Sequence, residues 1–532
     1  MRRIEHATPE PFGAPVACVR QAEPLAGSGG AVHVRSVGAS LSAFGAAQGV
    51  GLTAGLLLHI VAARYLDPAD YGRFAVAHSI FLVLLVLLVN AIPNALRRRV
   101  SLDAGQMGSA WRALIRLHLP LALGVSALLA AAAPLLAAGL GDAMLTGPLR
   151  LIALDVALRA GMVEPVWLLL NGAGRHRLQA ALMAGHSVLR CCLVAVGVIA
   201  GYGLTGAVAG LVASSVLSAM LVIRLARPFC GGETPSAGGL GSARDLFRWI
   251  QWAPAANVVN HLAMAGNLWL AKAMSTDAAA VGPYAACYLL ASTLLPSSAI
   301  LSSSCFRRFA SLVSEESPAK AGAVLRAALR VVAVLGVFAA ACTALWSEPV
   351  LRLVFGSDYA GAADVLVLLW LAMSGTALYW FFCEMLVAAE CLAARLAAAL
   401  ITALATVSLT IVWFQRAGLP GAAAALAVSS GIGVGVTGTL LYRIAGPFLP
   451  WATVGRTVLA AAVAGALARA WLHPGFPETL YWLLGVQAVV YFVCLWLLGE
   501  FSTPGDDAAL AETRDMRLNG DGMTPAPGRQ DS

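Results

Sequence analysis

Apolar runs of about twenty residues, separated by short polar breaks, recur from residue 38 to residue 499. The clearest spans Leu66 to Arg99 (LDPADYGRFAVAHSIFLVLLVLLVNAIPNALRRR). Asp67 is placed to cap the free N–H groups of a helix, and Pro68 suits its first position. About 23 mostly apolar residues follow, Phe74 to Leu96, enough to cross a hydrocarbon core of roughly 30 Å. Three arginines, Arg97 to Arg99, then read as a cytoplasmic anchor. The same pattern predicts an all-α chain with about fourteen transmembrane helices. They fall near 38–64, 72–96, 114–140, 149–171, 178–201 and 204–225, then near 248–270, 281–304, 322–346, 361–388, 393–415 and 419–442. Two more lie near 453–471 and 480–499.

The halves echo one another. Gly72-Arg73-Phe74-Ala75 returns as Gly282-Pro283-Tyr284-Ala285, an offset of 210, and Arg97-Arg98 returns as Arg307-Arg308 at the same offset. Gly203-Leu204-Thr205-Gly206-Ala207 with Ser214-Ser215 resembles Gly418-Leu419-Pro420-Gly421-Ala422 with Ser429-Ser430, at an offset of 215. Two matches in one order at nearly one spacing indicate an internal duplication. Each copy has six spans, an even number, so both enter the membrane from the same side. Parallel lobes related by a pseudo-two-fold along the membrane normal are expected, with a substrate site between them. The expected units are a disordered cytoplasmic tail at 1–36, a first lobe at 37–226, a Gly/Ser-rich linker at 227–247, a second lobe at 248–445, two extra spans at 446–500 and a disordered tail at 501–532. No hydrophobic run near the start suggests a cleavable signal peptide.

Composition agrees with a polytopic membrane protein: 59% of the 532 residues are hydrophobic and 12% are charged, against about 25% charged in soluble domains. Mean hydropathy is +0.79. The net charge of +8 is therefore mostly loop arginine and no sign of nucleic-acid binding. With both termini inside, seven of the 35 Lys and Arg fall in outer connections: Arg64, Arg73, Arg150, Lys272, Arg352, Arg416 and Arg469. Arg159 and Arg190 fall within spans, and the other 26 lie on the cytoplasmic side. The ten cysteines include no C-x-x-C pair, and no nucleophile elbow, P-loop or zinc motif appears, so neither catalysis nor a metal or other cofactor is expected.

The candidate chemistry is the set of polar side chains that should not be in hydrocarbon. Asp155, Arg159 and Glu164 lie in the fourth span, His186 and Arg190 in the fifth. Each such charge costs about 2.5–3.5 kcal/mol to insert and needs a partner or water. Asp155 and Arg159 share a face by i,i+4 spacing. Two acids and two arginines either staple one lobe together or line a cavity where an arginine meets a phosphate, and Arg159, nearer mid-membrane, is the better phosphate candidate. In the seventh span Asn257, Asn260, His261 and Asn267 fall within about 120° of one another, and Lys272 extends this stripe to the outer end. Such a stripe suits a wet cavity that receives sugar hydroxyls, or hydrogen bonds between packed helices. Gln48 and His59 share a face of the first span. Glu384, deep in the tenth span, is a candidate for ion or proton coupling, or for pairing with a neighbour. Pro93 and Pro296 fall inside spans and can kink them.

Arg64 followed by Asp67-Pro68-Ala69-Asp70-Tyr71-Gly72 resembles the first hairpin of the Wzx-type polysaccharide flippases, of the multidrug/oligosaccharidyl-lipid/polysaccharide exporter superfamily. Val281-Gly282-Pro283-Tyr284-Ala285 resembles the same turn in the second lobe, and Val354-Phe355-Gly356-Ser357-Asp358-Tyr359 is a third such stretch. The resemblance covers roughly residues 37–445. One departure is visible: members often carry an acid late in the seventh span, where this chain has Asn267. The resemblance implies a non-enzymatic flippase in the bacterial inner membrane, moving a lipid-linked oligosaccharide or polysaccharide intermediate by alternating access. Arg159, Arg190, Asn257, Asn260, His261, Asn267, Lys272, Gln48, His59 and Arg64 would line its cavity, with Asp155, Glu164 and Glu384 as coupling candidates. Its partners would be the lipid-linked glycan, membrane lipids, and polymerase and export machinery. Competing readings are a peptidoglycan-precursor flippase, a drug/cation antiporter and, less in keeping with the short outer connections, a membrane glycan polymerase or ligase.

Overall fold

A computed structural model describes residues 30–90, 92–230, 252–470 and 479–501. Residues 1–29 and 502–532 of the expected tails and most of the expected linker lie outside the described residues, whereas 30–36, expected to be disordered, form the first turns of a helix. Regular structure within the described residues is entirely helical. The first lobe contains α1 (Gly30–Tyr65), α2 (Pro68–Val89), α3 (Ile92–Leu102), α4 (Met107–Ala113), α5 (Leu119–Gly139), α6 (Thr146–Asp155), α7 (Glu164–Gly172), α8 (His176–Ile199) and α9 (Gly203–Cys230). The second contains α10 (Trp252–Met274), α11 (Val281–Ser292), α12 (Leu295–Ser314), α13 (Pro318–Val354), α14 (Ala363–Ala388) and α15 (Leu392–Ala445). Two further helices, α16 (Trp451–Ala470) and α17 (Thr479–Leu497), close the chain.

Ten described stretches are long and apolar enough to cross a bilayer. The 54-residue α15 supplies two passes, because Gly418 adopts φ +61° and turns the chain back on itself. Its arms are antiparallel: Thr406 donates to Ser429 Oγ at 2.9 Å, and Gly433 lies against Thr402. The α6–α7 run, α10 and α17 complete the fourteen expected passes.

The duplication is visible in local chemistry. Gly203 (φ +56°) reverses the chain between α8 and α9, as Gly418 does within α15. Three residues on, Gly206 lies against Gly197 and Gly421 against Trp413, each with no room for a side chain. The first span packs along the fifth, and the seventh along α15.

At the start of α2, Asp67 accepts the Asp70 N–H at 2.8 Å with Pro68 in the first turn, as its sequence predicts. The span itself ends earlier than expected, at Val89 rather than Leu96, and Asn90 bonds back to the Val86 carbonyl. Pro93 stands at the second position of the new helix α3, which carries Arg97 to Arg99. Pro296 stands at the second position of α12, after the break that ends α11. Both prolines therefore restart a helix instead of bending one, since a first turn needs no N–H from them.

Candidate functional site

The lobes meet at the end of the bundle that carries the α1–α2 turn. Asp142, in the connection after α5, accepts from Arg73 Nε of α2 at 2.8 Å and from Lys272 Nζ of α10 at 2.7 Å. Arg73 also reaches Asp70 at 2.6 Å. Burial alone would raise the Asp142 carboxyl, but hydrogen bonds and charge from Lys272 and Arg73 outweigh it and hold the group below its ordinary value. Arg64, at the end of α1, donates to the Leu353 and Val354 carbonyls of the other lobe and so satisfies the open C-terminus of α13. Tyr359 donates to the Ala63 carbonyl at 3.1 Å. Gly282 lies so close to Pro68 that a Cβ would run into its carbonyl. Lys272 and Arg64, expected to line a cavity, instead fasten the lobes together.

The charges of the fourth and fifth spans pair differently from the i,i+4 expectation. Asp155 is fully buried and bonds Arg190 Nη2 at 2.8 Å, and Ser215 of α9 also donates to it. Arg159 instead pairs with Glu164 at 2.9 Å. The cause is a π-helical stretch, Val156–Val163, closed by a bond from the Glu164 N–H to the Arg159 carbonyl. An i,i+5 turn brings residues five apart, here Arg159 and Glu164, onto one face, and Asp155 is already taken by Arg190 and Ser215. Arg190 and Asp155 are thus a staple inside the lobe, whereas the Arg159 and Glu164 side chains stay partly accessible. Both guanidinium groups sit about 5 Å from the Phe81 ring. His186, level with Glu164 by count, bonds Ser218 at 2.7 Å instead.

His59 is buried against His78, at 3.2 Å, and Tyr71. Gln48, on the same face by count, is exposed. The structure does not bring the two together.

The polar stripe of α10 divides by depth. Asn257, Asn260 and His261 line a cavity of about 390 Å³ within the second lobe, together with Ser302 of α12, Trp380 and Glu384 of α14 and Arg395 of α15. Asn267, further along the helix, is fully buried: it donates to Thr410 Oγ1 and the Ala422 carbonyl, each at 3.0 Å, and accepts from Tyr284. It packs the second lobe and does not line the cavity. Glu384 pairs with Arg395 at 2.9 Å, and the same Arg395 nitrogen reaches Asn257 Oδ1 at 2.7 Å. Arg395, Trp380, Asp142 and Arg73 were not singled out by the sequence. For Arg395 a signal existed, since Glu384 and Arg395 are nearly equidistant from the α14–α15 turn and so lie at one depth.

The cavity and the fastened end are far apart. Helix α14 starts just after Tyr359 at the fastened end and carries Glu384 in its last turns, about 30 Å away at 1.5 Å per residue. No group of His, Cys, Asp and Glu among the described residues could hold a metal ion. The cavity presents amide, hydroxyl, carboxylate and guanidinium groups that can bind and orient polar ligand atoms.

A family model described as a polysaccharide biosynthesis protein matches residues 61–364. The fold is similar to a lipid II flippase, MurJ, in an inward closed conformation, with a TM-score of 0.67 and 13% identity over 86% of this chain and 98% of that one. It is also similar to a multidrug resistance MATE family transporter of the MOP superfamily in an inward-facing conformation, with a TM-score of 0.58 and 13% identity over 74% and 95% of the two chains. A MOP superfamily transporter from Pyrococcus furiosus gives a TM-score of 0.53 at 14% identity over 76% and 96%. No curated protein matches the sequence. At these identities the structural likeness is one of fold.

Proposed function

The chain belongs to the polysaccharide biosynthesis protein family, and from that premise we propose that it is a flippase for a lipid-linked oligosaccharide or polysaccharide intermediate, working by alternating access. The task is physical: a pyrophosphate and a row of sugar hydroxyls cannot enter hydrocarbon unaided, while the lipid tail can remain in the bilayer. The observation that carries the reading is the asymmetry of the bundle. One end is fastened across the lobes by Arg73, Asp142, Lys272 and Arg64, and the polar cavity with Asn257, Glu384 and Arg395 lies toward the other. That asymmetry is what one stop of an alternating-access cycle looks like. The excess of basic residues at the cavity end supports both termini inside, with the fastened end outside the cytoplasmic membrane.

In this reading Arg159 receives a phosphate oxygen, because its guanidinium is partly accessible midway along the α6–α7 run and needs only to leave Glu164. The cavity residues receive hydroxyls. Releasing Asp142 from Lys272 and Arg73 opens the outer end. The chain moves its substrate without changing it, and a polymerase and export machinery would take the product. A peptidoglycan-precursor flippase is the second reading, favoured by the fourteen passes and by the likeness that extends over 98% of the lipid II flippase. Depleting the protein and identifying which lipid-linked sugar accumulates on the cytoplasmic face tests both. A glycan intermediate supports the first reading, a peptidoglycan precursor the second, and no accumulation of either contradicts both.

A further inference from the structure

The cavity of the second lobe has its own specificity. Among the described residues its walls come from α10, α12, α14 and α15, all of one lobe. Its carboxylate and its guanidinium are committed to each other: Arg395 is only 4% exposed and its Nη2 is shared between Glu384 and Asn257. Glu384 keeps 40% of its side chain accessible. The accessible charge is therefore a carboxylate whose cation is behind it. Two other polar atoms of the lining, Arg395 Nε and Ser302 Oγ, are buried without a partner. An orphaned buried donor costs free energy until something accepts from it. The Trp380 indole, 5.2 Å from the His261 ring, adds a flat apolar surface beside these polar groups.

Building on the flippase reading, we propose that this cavity is a subsite for uncharged, hydroxyl-rich sugar units of the lipid-linked glycan. Hydroxyls suit it because each can both donate to Glu384 and accept from Ser302 or Arg395 Nε. The Trp380 face covers the apolar side of a pyranose ring. A phosphate or a uronic acid suits it less, because the accessible charge among the described lining residues is the Glu384 carboxylate, whose Arg395 partner is already paired with it. The two lobes then divide the head group: Arg159 in the first takes the pyrophosphate, and the second takes neutral sugar.

The test is binding to the full-length protein in nanodiscs, with three probes: farnesyl pyrophosphate, farnesyl pyrophosphate bearing a glucosyl disaccharide, and the same conjugate with a terminal glucuronic acid. The neutral disaccharide should tighten binding over farnesyl pyrophosphate by about tenfold or more, and the acidic one should lose most of that gain. Trp380→Leu should abolish the gain and Glu384→Gln should reduce it for the neutral probe, each read as the ratio of conjugate to farnesyl pyrophosphate affinity within the same variant. Trp380→Phe, which keeps a ring, should restore part of it. In Glu384→Gln the acidic probe should bind more tightly than it does to the wild-type protein, whereas loss of the site for structural reasons would leave it no tighter than farnesyl pyrophosphate. A neutral disaccharide that adds nothing, or an acidic one that binds more tightly, would overturn the subsite while leaving the flippase reading intact. Failure of all three probes to bind would instead remove the flippase reading, and the subsite with it.

Discussion

Gly72 and Gly282, equivalent positions of the two halves, lie against each other. A Cβ on Gly72 would be 3.1 Å from the Gly282 nitrogen. When equivalent residues of a duplicated chain touch, they sit on the pseudo-two-fold axis that relates the copies, here at the end where Asp142 joins Arg73 and Lys272. Glycine is required at this crossing by proximity, since neither residue has an unusual φ.

Gly282→Ala should therefore disfavour the fastened state. Its Cβ meets backbone at Pro68, which cannot swing aside as a side chain would. Overpacking of this kind costs about 1–3 kcal/mol. The expected result is an unchanged amount of folded protein, with a cysteine at Thr146 more reactive to an impermeant thiol reagent. Unchanged reactivity would mean that the contact is slack.

The Asp142 cluster predicts a pH dependence. Its carboxyl is held below the ordinary value of 3.8. The ion pairs thus contribute their full closing effect above that value and lose it only as pH falls through the lower, perturbed one. Distances measured between spin labels on the two lobes should stay constant from neutral pH to about pH 4 and lengthen below it. Asp142→Asn should lengthen them at neutral pH, because Arg73 and Lys272 then repel. A transition near pH 6 would contradict the assignment.

Arg159→Ala should abolish glycan export with normal protein abundance in the membrane. Arg159→Lys should keep part of the export, since the charge remains while the planar fork is lost. Because the partner is Glu164, the diagnostic double variant is Arg159→Ala with Glu164→Gln. If Arg159 serves only to neutralise Glu164, that pair should regain export. If it meets the substrate phosphate, export should stay lost.

Arg190→Ala should behave differently. It strands the buried Asp155 with Ser215 alone, and losing one partner of a buried pair costs about 3–5 kcal/mol. Membrane abundance and thermal stability should fall together with export. Arg190→Met combined with Asp155→Leu should recover much of the abundance.

The contrast between these two arginines marks what the sequence could and could not reveal. Span number, the two lobes and the Asp67 cap follow from run length, repetition and capping chemistry, all of which are local or periodic. The partner of Arg159 does not, because a π-helical stretch shifts the phase of the helix by a residue and nothing in Val156–Val163 announces it. Asn267 shares a face with Asn257 and His261 by angle, yet sits deeper along α10, where Thr410 and Tyr284 enclose it. Angle is readable from spacing, and depth of packing is not. Asp142 escaped notice because its importance comes from Lys272, 130 positions away.

Translocation itself can be measured directly. The purified protein is placed in vesicles with a fluorescent polyprenyl pyrophosphate-linked disaccharide in both leaflets, and an impermeant quencher reports the outer share over time. The account predicts rapid loss of protection for the inner pool, slowed to the rate of protein-free vesicles by Arg159→Ala. An inner pool that stays protected with the folded wild-type protein would contradict the claim that this chain is a lipid-linked glycan flippase.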